Sequence, residues 1–281
     1  MTQDKILGID IGASKIHIGE VHDGKILNER KFSTSSKAPK EQILQEIVEG
    51  IEMVISPEVA GIGIGAPGLI DDNAGIIYDV QNIASWQEVH LKAHLENHFK
   101  KPVRISNDAN TFVLGEKIYG KARPYRNVVG LTLGTGFGAG IIIDGKLYSG
   151  AYSSAGELGS IPYLDLTIED YCSGKFFERL DQEGSAVYEQ ACNGHAHSLE
   201  LFYEFGRHLG NTIKTVLFAY APQAIFLGGS ISKCYPFFRK GLEEAVQSFP
   251  FKRVLEQLVI APSEMQNAAI LGAAALIKER L

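Results

Sequence analysis

Cysteine is scarce in this chain of 281 residues, with three in all: Cys172, Cys192 and Cys234. They are odd in number, widely spaced and without CxxC spacing. That excludes a CxxC-type zinc knuckle or redox pair and leaves ordinary reduced thiols, in keeping with a reducing compartment. Positive charge is also in short supply. With 27 Lys and Arg against 33 Asp and Glu, the net charge of −6 argues against a protein that grips a nucleic-acid backbone. Long apolar runs are missing as well. The longest, around Ile141 and Ala273, are the size of core elements and fall short of the roughly 18 residues of a membrane span. The polar stretch Met1–Lys5 leads directly into a strand, without the charged and apolar regions of a secretory signal, so a cytoplasmic location is expected. The composition, 45% apolar and 21% charged, is that of an ordinary globular protein, and the length suffices for two domains.

Glycine, in contrast, clusters twice at the end of an apolar strand. The first cluster is Gly8-Ile9-Asp10-Ile11-Gly12-Ala13-Ser14-Lys15, and the second runs from Gly130-Leu131-Thr132-Leu133 through Gly134-Thr135-Gly136-Phe137-Gly138-Ala139-Gly140. Around the first, strands are predicted at Lys5–Asp10, Lys15–Val21 and, past the Asp23-Gly24 turn signal, Ile26–Phe32. Around the second they are predicted at Asn127–Leu133, Gly138–Ile143 and, past Asp144-Gly145, Lys146–Tyr148. Strand, glycine loop, strand, tight turn and strand thus occur twice, an internal duplication. Periodicity predicts helices from Pro39, with Ile43, Leu44, Ile47, Val48 and Ile51 at helical spacing, and over Trp86–Phe99, Ala109–Ile118, Ser198–Ala219, Pro236–Ser248 and Asn267–Lys278. Further strands are predicted at Val59–Ile64, Val103–Ser106, Ala224–Phe226 and Leu258–Ala261.

A glycine hairpin can turn amide N–H groups outward. Positive φ and close approach of a phosphate oxygen, with the hydroxyls of Ser14 and Thr135 as added donors, suit a pair of phosphate loops. Neither is a Walker A loop, since no Gly-Lys-Ser/Thr follows, and neither opens into a helix as a dinucleotide fingerprint does. One such loop alone reads as an ordinary turn; the matched pair points to ATP held between two related domains. Asp10, at a strand end, suits a Mg²⁺ ion held through its water shell, or the capping of its own loop. Asp108, in Asn107-Asp108-Ala109-Asn110, suits a general base that takes the proton of an attacking hydroxyl. In isolation, Asn107 or Asp108 reads more simply as a helix N-cap. His90, His94 and His98 are spaced i, i+4, i+8 on a predicted helix, as a surface metal site or as three exposed histidines would be.

Read in order, Asp10–Lys15, Gly63–Gly68, Asn107–Asn110, Gly134–Gly140, Gly156–Ser160, Leu227-Gly228-Gly229 and the small-residue C-terminal helix resemble the ROK family of bacterial sugar kinases, of the hexokinase–actin–Hsp70 superfamily. The resemblance runs through nearly the whole chain. It implies an α/β fold of two ribonuclease H-like, actin-like ATPase domains with a cleft between them. The N-terminal domain would take residues 1–117 plus 267–281 and the C-terminal domain 118–266. It further implies that Asp10, Gly12, Ser14 and Lys15 form the first phosphate motif, Gly134, Thr135, Gly136 and Gly138 the second, and Gly228 and Gly229 the adenosine motif. Gly68, Asn82, Asn107, Glu157 and Glu169 match sugar-binding positions, and Asp108 matches the catalytic base. Buried polyol hydroxyls need directional partners, which paired Glu and Asn supply. The expected reaction carries the γ-phosphoryl group of ATP, with Mg²⁺, to a sugar hydroxyl, the 6-hydroxyl by resemblance. A homodimer is expected on the same ground, with no nucleic-acid or membrane partner.

Beside Ala13-Ser14, where the family usually has Gly-Thr, one departure from the family matters. Most members carry a zinc-binding His after the Gly-Glu-x-Gly motif, then a run of cysteines. Here the His position is Ser160, and Ile161–Ile168 alone separates it from Glu169, with no cysteine among them. No structural zinc is expected, since Cys172 cannot rebuild a four-ligand site. The family also includes sugar-responsive repressors with an added N-terminal DNA-binding domain, for which the short stretch before the first strand leaves no room. An actin-like ATPase without a sugar substrate is disfavoured by Glu157 and Glu169 together.

Overall fold

The computed structural model describes residues 4–278 and contains two five-stranded sheets of the same topology. In the first half, β1 (Lys5–Ile11), β2 (Lys15–His22) and β3 (Lys25–Ser33) form an antiparallel meander, and α1 (Lys40–Glu52) returns the chain to β4 (Val59–Ala66), parallel to β1. A small antiparallel sheet of β5 (Leu69–Asp71), β6 (Ile76–Tyr78) and β7 (Glu88–Val89) follows, then α2 (Leu91–Phe99). The half closes with β8 (Val103–Asn107), parallel to β4, and α3 (Asp108–Tyr119).

The second half repeats the plan. A meander of β9 (Val128–Leu133), β10 (Phe137–Ile143) and β11 (Lys146–Leu147) leads to a short hairpin, β12 (Pro162–Tyr163) with β13 (Leu166–Thr167). The helices α4 (Ile168–Cys172), α5 (Lys175–Glu178), α6 (Gly184–Cys192) and α7 (Ala196–Tyr220) precede β14 (Ala224–Gly228). After α8 (Tyr235–Gln247) and α9 (Lys252–Gln257), β15 (Val259–Pro262) leads to α10 (Ala268–Lys278). The strand orders β3-β2-β1-β4-β8 and β11-β10-β9-β14-β15 correspond one to one, as the predicted duplication requires. Both Asp-Gly turns have φ above zero at each central residue (Asp23 53°, Gly24 73°; Asp144 51°, Gly145 82°), as a type I′ turn requires.

The helices that close the two halves change places. α3 leaves the first sheet and packs mainly against β9 and β10, while α10 leaves the second and packs against β1 and β4. They cross at glycine, because nothing larger fits: a Cβ on Gly272 would lie 1.7 Å from the Thr111 carbonyl oxygen. The sheet beneath α10 is kept just as bare, since a Cβ on Gly63 would lie 1.8 Å from the Ala273 carbonyl oxygen. This crossing sets the N-terminus of α3, and with it Asp108, at the seam between the two sheets. Apolar cores lie on each side of it, one built around Ile9, Ile47, Ile62 and Trp86 and the other around Leu131, Phe202, Phe205 and Phe238.

The predicted helix Trp86–Phe99 is a correction: it begins only at Leu91. Trp86 instead ends a tight turn, its carbonyl accepting the Val80 N–H and its own N–H donating to the Ile83 carbonyl, with the indole fully buried. Glu88–Val89 then pairs with β6, and tertiary pairing overrides helical periodicity here. The remaining predicted helices and strands are present, with ends shifted by one or two residues. Among the described residues, no helix is long and apolar enough to cross a membrane.

Candidate active site

Asn107 caps α3, its side-chain oxygen accepting the Ala109 N–H at 2.9 Å, so the cap reading is correct for that residue. Asp108 is the first helical residue, and its Oδ1 accepts the same N–H at 2.8 Å. The carboxyl is pushed up to about 7, by burial first and then by the negative charges of Asp10 and Glu157; the Ala109 N–H opposes the rise. Asp10, at the end of β1, is likewise raised by burial, tempered by Lys15. Glu157 opens to solvent and is raised by lost hydration and then by Glu169. The structure therefore brings Asp10, Asp108, Glu157 and Glu169 into one electrostatic group drawn from both halves. Among the described residues, no three His, Cys, Asp or Glu side chains stand close enough together to hold a metal ion by themselves.

The glycine loops correct one expectation. None of Gly12, Gly134, Gly136 or Gly138 has a positive φ. The Gly12 N–H donates to the Lys15 carbonyl at 2.9 Å and the Gly134 N–H to the Gly136 carbonyl at 3.0 Å, so these two amides close their own hairpins and do not face outward. The amides of Ala13, Ser14 and Thr135 make no hydrogen bond among the described residues and are the donors left over. Glycine is needed for closeness. A Cβ on Gly136 would lie 2.8 Å from Glu169 Oε2, one on Gly138 2.6 Å from Thr132 Oγ1, and one on Gly228 2.5 Å from the Phe112 ring. Gly229 does turn through the left-handed region, with φ 81°. Beside Gly134 and Thr135 lies a cavity of about 490 Å³, which Gly174, Ser230, Ile231 and Lys233 also line. Its size is that of a small-molecule pocket, and it touches both the second glycine loop and the residue after Gly228-Gly229.

Glu169 sits in the first turn of α4 with both oxygens engaged: Oε2 accepts the Phe137 N–H at 3.0 Å, and Oε1 pairs with Lys175 Nζ at 2.6 Å. Gly68 has φ 90° and lies against the Tyr78 carbonyl, as the turn after β4 requires. Asn82 is exposed in the turn before Trp86, and no contact to the carboxylates is seen among the described residues. Ser14 and Lys15 are exposed at the tip of the first loop. The histidine series does not stand on one helix: His90 precedes α2 and meets Glu88 at 2.7 Å, while His98 meets Glu52 at 2.9 Å. Between Ser160 and Ile168 the chain forms the β12–β13 hairpin.

Sequence reasoning missed three sets of residues. Thr34 ties the first loop down, its hydroxyl donating to the Gly12 carbonyl at 2.7 Å and its N–H to the Ser14 carbonyl at 3.1 Å. Lys175 holds Glu169 from six residues on, at the start of α5, a spacing that no i, i+4 helical pattern marks. Behind Asp108, Asn110 donates to Ser106, whose hydroxyl lies 3.3 Å from that of Ser153, and Ser153 donates to Asp72. This buried chain joins the two halves through Tyr152 and Ser153, both in left-handed conformation (φ 52° and 54°). No local signal marks it, since its members are scattered serines.

A sequence model of the ROK family matches residues 6–280. A glucokinase of Thermotoga maritima is 30% identical over 315 aligned residues, covering 100% of this chain and 99% of its own length. A xylose repressor of Bacillus spizizenii is 30% identical over 298, covering 97% of this chain and 77% of its own length. Among solved structures, a ROK family glucokinase from Streptomyces griseus in complex with glucose and AMPPNP has a TM-score of 0.84 at 27% identity, covering 98% of this chain and 99% of that one.

Proposed function

This chain belongs to the ROK family, and on that premise we propose that it is an ATP-dependent sugar kinase acting on a hydroxyl, the 6-hydroxyl by family resemblance, of a hexose or N-acetylhexosamine. The fold is α/β, of two actin-like ATPase domains. We divide it at residues 1–117 plus 267–281 and 118–266, and place the protein in the cytoplasm as a homodimer.

The observation that carries the reading is Asp108. A carboxyl at about 7, set at the seam of the two halves, is matched to accepting a hydroxyl proton near neutral pH. Asn107, Glu157 and Glu169 supply acceptors to orient the sugar, and Gly68 and Asn82 border it. The free amides of Ala13, Ser14 and Thr135, with Lys15, face the phosphates, while Gly12, Gly134, Gly136 and Gly138 let the two loops approach them. Gly228 and Gly229 border the nucleoside, which enters the 490 Å³ cavity. Asp10 would hold Mg²⁺ through its waters, and the ion would offset charge on the transferring phosphoryl group. Closing the halves excludes water, which otherwise competes with the sugar hydroxyl.

In Asp108→Ala, phosphorylation should be lost while calorimetric sugar binding survives; full turnover in this variant would remove Asp108 from the base role. The repressor relative favours a second reading, a non-catalytic sugar-responsive regulator. That protein would bind sugar in wild-type form without turning over ATP.

A further inference from the structure

The β12–β13 hairpin joins two of the site's carboxylates. Glu157 leads into it through the turn Leu158–Ser160, and Glu169 stands two residues past its end. Its base is pinched by the Ile168 N–H donating to the Ile161 carbonyl at 3.0 Å, and Thr167 with Asp170 forms a capping box that fixes the start of α4. Gly159 backs directly onto Glu169, where a Cβ would lie 3.5 Å from the Glu169 Cβ. Two strands of two residues each cannot hold a hairpin by themselves. Its tip is not held by burial either, for Leu164 is 70% exposed and Leu166 42%.

The hairpin is held by side chains instead. Asn211 Nδ2 donates to the Tyr163 hydroxyl at 3.1 Å, which leaves that hydroxyl to donate its own proton to His208 Nδ1, also at 3.1 Å. His208 then carries its proton on Nε2, 3.3 Å from Glu204. Tyr171 donates to Asp165 in the hairpin turn and meets the Tyr163 ring edge-on at 5.2 Å, with the Arg179 guanidinium 4.2 Å above it. Burial keeps His208 below its ordinary value, with Arg207 and Arg179 acting in the same sense and Glu204 opposing them.

We propose that Tyr163, Tyr171, His208 and Asn211 form a clamp of positioning residues that sets the placement of Glu157 and Glu169, and thereby sugar affinity and choice among sugars. The proposal rests on the sugar-kinase reading. These side chains lie behind the carboxylates and act through the hairpin. None of the four side chains lines the 490 Å³ cavity, and the clamp reaches the second glycine loop only through Glu169, which accepts the Phe137 N–H, so its loss should fall mainly on the sugar.

The test compares Tyr163→Phe and Tyr171→Phe with wild type. Each removes one hydroxyl and keeps the ring, and each is checked for an unchanged circular dichroism spectrum. Tyr163→Phe loses bonds to the half-buried His208 and Asn211 and Tyr171→Phe one to the exposed Asp165, which predicts a sugar KM raised about three- to tenfold in the first and less in the second, with the ATP KM within about twofold of wild type. The ratio of kcat/KM between two sugars should shift as well. Equal changes in both KM values, or an unchanged sugar KM in both variants, would overturn the clamp. Calorimetric sugar binding gives the same comparison without turnover, so a wild-type protein that binds sugar but phosphorylates none would count against the kinase reading alone.

Discussion

Replacing Asp108 with Asn should stabilise the ligand-free protein while abolishing phosphoryl transfer. The carboxyl is pushed from 3.8 up to about 7 by burial and by Asp10 and Glu157, a rise of about three units. At about 1.4 kcal/mol per unit the ceiling is about 4 kcal/mol, and partial exposure of the side chain screens this to about 2 kcal/mol. Asn retains an oxygen for the Ala109 N–H, so the helix start is kept. Below pH 3.8 the carboxyl is protonated in folded and unfolded chains alike, and the variant gains nothing. Between 3.8 and about 7 the unfolded chain gives up the proton while the folded chain keeps it, so wild-type stability falls as pH rises and the variant's advantage grows. Above about 7 the advantage levels off. For a chain of this size, about 2 kcal/mol corresponds to a rise in Tm of about 4–8 °C. Scanning calorimetry at pH 5, 6, 7 and 8, without ATP or Mg²⁺, reads the difference directly. A variant less stable than wild type at pH 8, or a difference that does not change with pH, would refute the reasoning.

Other outcomes follow from the same geometry. The kcat/KM for sugar should fall about tenfold per unit of pH below about 7, as the free enzyme's Asp108 takes up its proton, and a profile flat to pH 5 would contradict this. Gly272→Ala places a Cβ against the Thr111 carbonyl at the helix crossing and should lower the urea midpoint by the equivalent of about 1–3 kcal/mol; an unshifted midpoint would show that the crossing is soft. Thr34→Val removes the hydroxyl tie to Gly12 and should raise the ATP KM about three- to tenfold with sugar affinity unchanged. An unaltered ATP KM would detach the first glycine loop from the phosphates.

Local signals carried much of the fold. The Asp-Gly turns and the strands beside them are short-range patterns, and they sufficed to expose the duplication and the order of each meander. The junction of strand and helix at Asn107-Asp108 was legible for the same reason, whereas the base role of Asp108 came from the family resemblance. The purpose of the glycines was not. Gly140 and Gly228 are glycine because α3 lies against them, a fact of tertiary packing that no loop pattern records. Trp86 shows the converse, helical spacing overruled by burial of the indole and pairing of the residues that follow. The β12–β13 hairpin escaped prediction because residues 163, 171, 208 and 211 meet only after folding.

The most direct test of the central claim is a coupled ADP-release assay with Mg²⁺-ATP over glucose, mannose, fructose, N-acetylglucosamine, N-acetylmannosamine and β-glucosides. The account predicts that at least one sugar raises ADP release well above the sugar-free rate, and that Asp108→Ala removes the rise. A sugar that binds calorimetrically while none in the series stimulates ADP release would contradict it.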